Sequence, residues 1–178
     1  MVSRLTSAME EAYASAPANV VLFHTLELYH ATFGGPVLIL TGEEGVEPAS
    51  TISLFAEATA WRPAMWCDFT ALAFDVTPPG YDDDGPTPAK VRIDGVSDLL
   101  FPFIEAAAGA ANTISVIYRT YRSDVRFEPG DVIAGLKMRQ VVVTATSVEG
   151  ALSFDEVGEQ AFPRVTYNLD DYPGLFTR

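Results

Sequence analysis

The sequence has few of the residues from which disulfides, nucleic-acid contacts and membrane spans are built. It holds one cysteine, Cys67, so no internal disulfide can form, and we expect the chain to fold in a reducing cytoplasm. Its 11 lysines and arginines stand against 24 acidic residues, a net charge of -13, which argues against clamping nucleic acid. No apolar run approaches the ~20 residues of a membrane helix, and the acidic N-terminal stretch predicts no secretion signal.

Motifs for catalysis and metal binding are equally scarce. The chain has no Gly-x-Ser-x-Gly elbow, no phosphate-binding glycine loop and no zinc-ligand spacing. His24 and His30 lie on or just past one predicted strand, roughly 20 Å apart at ~3.3 Å per residue, too far to share a metal ion. We therefore expect His24 to be a hydrogen-bonded core histidine and Cys67 a buried thiol, and we predict no catalytic residue, cofactor or metal.

The loop YDDDGP (81–86) invites comparison with a calcium loop. Pro86 takes a position that should hold an oxygen ligand, and no glutamate follows at the distance that an EF-hand requires. The pattern favours a solvated acidic loop and leaves the role of Asp82–Asp84 open.

The hydrophobic pattern predicts a β-rich protein with two helices. Apolar residues make up 48% of the 178, enough to fill the core of a single domain, 1–178. Helical spacing predicts a helix over 3–16 and another over about 97–108, and alternation predicts strands at 20–30, 36–40, 51–55, 69–77, 89–94 and 112–122. Residues 136–157 read as a hairpin that reverses at Glu149-Gly150. Strands do not alternate with helices, so we expect a β-rich α+β fold: a mainly antiparallel β-sandwich or small barrel, with a β-rich core at 20–157 and a C-terminal extension at 158–178.

One predicted strand carries the pattern Tyr118, Arg119, Tyr121, Arg122. Aromatic and cationic side chains of this kind can form a stacking platform for sugars or bases. With the strongly acidic balance of the whole chain, a strand rim against an acidic neighbouring subunit is the favoured interpretation.

The C-terminal segment DDYPGLF (170–176) is unusually apolar for a chain terminus. Pro173-Gly174 suits a type II turn, in which glycine supplies the positive φ. Such a turn would present Tyr172, Leu175 and Phe176 as a compact hook. Two interpretations stay open: the hook closes its own barrel, or it docks on the next subunit.

Several segments, in order, resemble a family of phage and prophage proteins encoded among the tail-tip genes of siphophages, of the distal tail or baseplate-hub type. The most specific is the closing Phe-Pro-Arg…Tyr…Tyr-Pro-Gly-Leu-Phe, followed by the segment around Val-Arg-Ile-Asp-Gly-Val. The resemblance spans nearly the whole chain; its segments are VVLFHTLELYH, FTALAFDVTPPG, AKVRIDGVSDLLFPFIEAA, ISVIYRTY and FPRVTYNLDDYPGLF.

This resemblance implies a structural subunit of the virion tail, assembled in the host bacterial cytoplasm, with no enzymatic activity. It implies a homo-oligomeric ring, hexameric by preference with a trimer as the other option, joining the tail tube to tip and hub proteins. DNA would only pass through an acidic lumen, and no membrane would be involved. The hook is then the candidate subunit interface, formed by Tyr172, Pro173, Gly174, Leu175 and Phe176.

The alternative is a receptor- or carbohydrate-binding module of the tail tip. It would use Trp61, Trp66, Tyr81 and the tyrosine-arginine strand as a sugar platform. A cell-wall hydrolase is disfavoured because the sequence shows no Cys-His or paired-carboxylate motif.

Overall fold

The computed structural model describes residues 6–15, 20–42, 47, 49–77, 80–82, 85–87, 89–94, 101–108, 113–144 and 146–154. Within them lie two helices, α1 (Ser7–Ser15) and α2 (Phe101–Ala108). The strands are β1 (Leu22–Tyr29), β2 (Val37–Gly42), β3 (Thr51–Ala56), β4 (Met65–Ala71), β5 (Phe74–Thr77), β6 (Gly80–Asp82), β7 (Gly85–Thr87), β8 (Ala89–Asp94), β9 (Ile114–Arg122), β10 (Asp131–Val143) and β11 (Ser147–Phe154).

Nine of these strands form one large mixed sheet in the order β3-β4-β2-β1-β9-β10-β11-β8-β5. Its pairings are antiparallel except for β2 with β4, which run parallel. Within the described part of the chain, β3 and β5 each have a single neighbour and are the edge strands. The predicted β-rich α+β class with two helices is confirmed, and these nine strands hydrogen-bond as one continuous sheet.

Strand β1 is an interior strand of the sheet, between β2 and β9. Four consecutive residues, Thr25–Leu28, are buried, so both faces of this strand are covered. One buried apolar cluster includes residues of β1, β2, β8, β9, β10, β11 and α2, and a second includes residues of β1, β2, β3, β4 and β9. Because successive side chains of a strand point to opposite faces, a polar residue of β1 at these positions needs a partner in the interior.

Thr6 caps the start of helix α1, which packs on the turn before β10. Thr6 accepts hydrogen bonds from the amide of Met9, and its own amide donates to the carbonyl of Gly130 at 3.0 Å. Met9 is fully buried, and a Cβ on Gly130 would lie 2.6 Å from the Met9 Cε. Glycine at 130 therefore lets the helix approach the sheet. None of the described helices is long and apolar enough to cross a membrane.

The predicted reversal at Glu149-Gly150 is wrong. The hairpin of β10 and β11 turns between Thr144 and Ser147, whose side chains and backbones exchange hydrogen bonds of 2.8–3.0 Å. Gly150 lies inside β11, where a Cβ would come within 2.8 Å of the Met138 Cγ. Glycine at 150 leaves room for the Met138 side chain on the facing strand. A sequence pattern of turn residues cannot distinguish such a glycine from one in a turn.

The loop expected at 81–86 overlaps a short two-stranded ribbon, β6 with β7, that is separate from the main sheet. Asp83, Asp84 and the whole C-terminal extension, 158–178, lie outside the described residues. The expected hook at 172–176 therefore stays a prediction.

Candidate functional site

The carboxylate of Glu27, on strand β1, is buried in the interior of the protein. Its side chain is 0% exposed, yet it is surrounded by donors. Oε1 accepts hydrogen bonds from Trp61 Nε1 at 2.7 Å and Arg62 Nε at 2.9 Å. Oε2 accepts from Arg62 and Arg119, each at 2.8 Å. Both oxygens are thus engaged twice.

Arg62 binds the Glu27 carboxylate through two parallel hydrogen bonds, the geometry in which arginine recognises carboxylates best. The same guanidinium donates to the backbone carbonyls of Ala56 and Pro63, each at 3.1 Å. Arg62 belongs to the connection between β3 and β4, so these bonds fasten that connection onto the centre of the sheet.

Arg119, on β9, joins the network from the neighbouring strand and is 1% exposed. Its Nε donates to Glu57 at 2.9 Å, and the Glu57 side chain is 42% exposed. Two carboxylates and two guanidinium groups therefore balance in charge. A buried charge without such a partner would cost several kcal/mol of desolvation.

The network fixes the ionisation of Glu27. Burial alone would raise its pKa, but the hydrogen bonds from Arg62, the charge of Arg119 and the bond from Trp61 together hold the pKa below its ordinary value. Burial would lower the pKa of Arg62, and Glu27 reverses this and raises it. Glu27 therefore stays ionised at neutral pH with its oxygens occupied, which suits a structural clamp and not a group that exchanges protons.

Trp61 completes the attachment of the β3–β4 connection. Its ring stacks on Tyr29 of β1 with centroids 4.6 Å apart and planes within 5°. The amide of Thr59 donates to the carbonyl of Arg62 at 2.8 Å, which closes the connection into a turn. The segment from Glu57 to Arg62 is thus held at both its backbone and its side chains.

A cleft of about 390 Å³ lies between this connection and strands β9 and β10. Its floor includes Arg119, and at its β10 side Lys137 donates to the Ser115 hydroxyl at 2.9 Å. Gly135 bulges there with φ of 83°, a conformation that favours glycine. The connection also contributes Glu57, Thr59 and Trp61 to the lining. The other lining residues are apolar: Ala58, Ala60, Val116, Ile117, Val132, Ala134 and Leu136.

A profile of the family described as "Domain of unknown function (DUF1833)" matches residues 8–167. The chain belongs to this family. No curated protein and no solved structure matches it. The matched range of the DUF1833 domain runs from α1 past β11 and includes every residue of the Glu27 network.

The two histidines of this DUF1833 domain lie apart, near opposite ends of β1. His24 Nδ1 is 2.6 Å from the hydroxyl of Tyr118, and burial raises the pKa of Tyr118 to about 12. His30 is buried and its Nδ1 is 2.7 Å from the hydroxyl of Thr32. The predicted hydrogen-bonded role of His24 is confirmed. The described residues contain no group of histidine, cysteine and acidic side chains able to hold a metal ion.

Cys67 is a free, buried thiol, as predicted. Burial raises its pKa, and its Sγ lies 3.6 Å from the carbonyl of Met65. A thiol of raised pKa in an enclosed position is a poor nucleophile.

The tyrosine-arginine strand does not form the expected rim. Arg119 and Tyr121 are buried, and the Tyr121 hydroxyl donates to the carbonyl of Phe55 at 2.9 Å. Arg122 pairs instead with Asp124 at 2.6 Å. The prediction was wrong because β9 is a central strand with both faces covered, so its cationic residue pairs inside its own chain.

The expected sugar platform is likewise divided. Trp61 faces the Glu27 network, whereas Trp66 is on β4, 54% exposed, with its ring edge-on to Phe55. The side chain of Tyr81 lies outside the described part. The Glu27 network itself was missed, although an acidic residue inside the apolar alternation LFHTLELY signals a buried charge that needs a partner.

Proposed function

We propose that the protein is a structural, non-enzymatic subunit of a siphophage tail tip, a ring-forming distal tail or baseplate-hub component that joins the tail tube to the tip. The sequence resemblance to tail-tip proteins suggests this role. The Glu27 network is consistent with it, because its charged groups are paired with one another and fasten the connection between β3 and β4 to the sheet.

The observation that carries the proposal is an apolar corner beside edge strand β3, which we call the edge patch: Phe55, Trp66 and Phe127. Trp66 and Phe127 are 54% and 63% exposed. Phe55 lies opposite Trp66 with the two rings edge-on, and its amide donates to the carbonyl of Arg126, next to Phe127 in the chain. Exposed apolar clusters of this kind mark interaction surfaces, and an adjacent edge strand offers backbone groups for pairing.

The acidic charge fits the proposed position at the tail. A ring whose subunits each carry -13 would repel the DNA phosphates, so DNA would slide through the lumen without binding. A hexamer is the preferred ring and a trimer the other option, with Tyr172–Phe176 as a subunit contact. The direct partners are further copies of the chain and the proteins of the tail tube and hub.

The test is assembly. The purified protein is weighed by native mass spectrometry over a range of concentrations, and tails are imaged with the wild type and with a Trp66→Ser/Phe127→Ser variant. We expect rings and complete tails with the wild type, and a folded but unassembled variant. A matched control, Val142→Ser at the equally exposed hairpin tip, should leave assembly intact. A protein that stays monomeric at every concentration, with tails complete without it, would refute the proposal.

A carbohydrate-binding module of the tail tip is the second candidate, and the exposed ring of Trp66 is the observation that favours it. Glycan-array binding that is lost in Trp66→Ser, in a protein that does not form rings, would support this function over the structural one.

A further inference from the structure

The cleft beside the Glu27 network is lined by apolar residues and by the charged groups Glu57, Arg119 and Lys137. Glu57 is paired with Arg119 at 2.9 Å, which leaves Lys137 as the cation for an acidic partner. Lys137 bonds to the Ser115 hydroxyl, and among the described residues it has no carboxylate partner. The volume of about 390 Å³ falls within the range of about 300–1,000 Å³ typical of ligand sites. The cleft therefore suits an apolar segment with an acidic flank.

This chain contains such a segment. In LDDYPGLF, Asp170 and Asp171 directly precede the large apolar side chains of Tyr172, Leu175 and Phe176. The carboxylates are complementary to Lys137 in charge, and the apolar side chains match the apolar lining.

The length of the chain beyond β11 brings the cleft of a second copy within reach. Strand β11 ends at Phe154, directly opposite Leu136, which lines the cleft of the same molecule. Fifteen residues, 155–169, separate this point from Asp170. Fully extended, fifteen residues span about 50 Å. A 178-residue domain has a radius of gyration of roughly 16 Å, hence a diameter of about 40 Å, so the segment can cross a whole subunit.

We propose that the cleft lined by Arg119, Ala134 and Lys137 receives residues 170–176 of a second copy of the chain. The inference rests on the proposed ring and names the seat of its subunit contact. Each copy gives its segment to one neighbour and receives that of the other, a head-to-tail contact of the kind that closes into a ring. In this arrangement Asp170 and Asp171 pair with Lys137, and Leu175 and Phe176 enter the apolar part of the cleft.

Disulfide trapping in the full-length chain tests the contact, with Cys67→Ser as the background. One protein carries Ala134→Cys in the cleft and the other Leu175→Cys in the segment. The two are mixed, oxidised with copper phenanthroline and separated on a non-reducing gel. We expect a linked dimer from this mixture. We expect several-fold less when Ala134→Cys is replaced by Ala73→Cys, a matched control at an exposed alanine outside the cleft.

Charge reversal supplies the second measurement. Lys137→Glu should lower the yield of linked dimer several-fold, and Asp170→Lys/Asp171→Lys in the partner protein should restore it. Circular dichroism shows whether each variant is folded. Restoration by the reversed pair cannot arise from a folding defect.

The outcomes separate this inference from the proposed function. Rings by mass without a linked dimer, or equal linking to Ala73→Cys, would overturn the cleft as the seat and leave the ring in place. An intrachain disulfide in a protein bearing both Ala134→Cys and Leu175→Cys, with no dimer from the mixture, would show that the segment occupies its own cleft. A strictly monomeric protein would overturn both.

Discussion

Replacing Glu27 by glutamine tests whether the buried ion network holds the fold together. Glutamine keeps the shape of the side chain but removes the charge and turns one acceptor oxygen into a donor. The new amide group would face donors from Trp61, Arg62 or Arg119, which now surround the carboxylate at 2.7–2.9 Å. Two guanidinium groups would then lose their buried counter-charge.

The loss in free energy of unfolding depends on which partners Arg62 and Arg119 keep in the variant. Breaking a buried ion pair from one side costs about 3–5 kcal/mol. Arg119 keeps Glu57, and Arg62 keeps the carbonyls of Ala56 and Pro63, so the lower end applies. We expect a loss of about 3 kcal/mol, which for a domain of this size lowers Tm by about 6–12 °C.

The assay is urea and thermal unfolding followed by circular dichroism, at pH 7 and at a series of lower pH values. The folded-state pKa of Glu27 is lowered, so its contribution is fully present above its unfolded pKa of about 4.3 and is lost as pH falls through the folded value. The difference in stability between wild type and Glu27→Gln should therefore narrow below about pH 4.

Glu149→Gln is the matched control, since Glu149 pairs with Arg92 on the exposed face of the sheet. Exposed ion pairs contribute little, so this variant should unfold close to the wild type. The reasoning would be refuted if Glu27→Gln unfolded together with Glu149→Gln, or if its deficit stayed constant on acidification.

Three further changes test other contacts. Tyr121→Phe should cost about 1 kcal/mol in urea unfolding, because the carbonyl of Phe55 loses its buried donor; no loss would mean that water replaces the hydroxyl. Gly150→Ala should cost about 1–3 kcal/mol, because the new Cβ meets the Met138 Cγ; an unchanged midpoint would show that the methionine moves aside freely. Cys67 should react with a thiol reagent slowly at pH 7 and rapidly in urea, because it is buried with a raised pKa; equal rates would contradict the enclosed position.

Local patterns predicted much of the secondary structure because they depend on neighbours in the chain. Alternation located β1, β2, β3, β8 and β9 to within about two residues, and the strand at 89–94 matches β8 throughout. The hairpin failed at its turn, where Gly150 resembles a turn residue but serves to make room for Met138 on the facing strand. The need for a small residue at 150 comes from the side chain of the neighbouring strand, and the local sequence does not show which strand that is.

The candidate site depended on contacts that are distant in sequence. Glu27 lies 35 residues from Arg62 and 92 residues from Arg119. Glu27 and Arg119 meet because β1 and β9 are neighbours in the sheet, and the connection between β3 and β4 brings Arg62 to them. The sequence by itself determined the β-rich class, the two helices, the isolated thiol and the acidic charge, since these follow from composition and local period. Only the tertiary structure decided that Arg119 turns inward to a carboxylate, because strand order sets which charges share the interior.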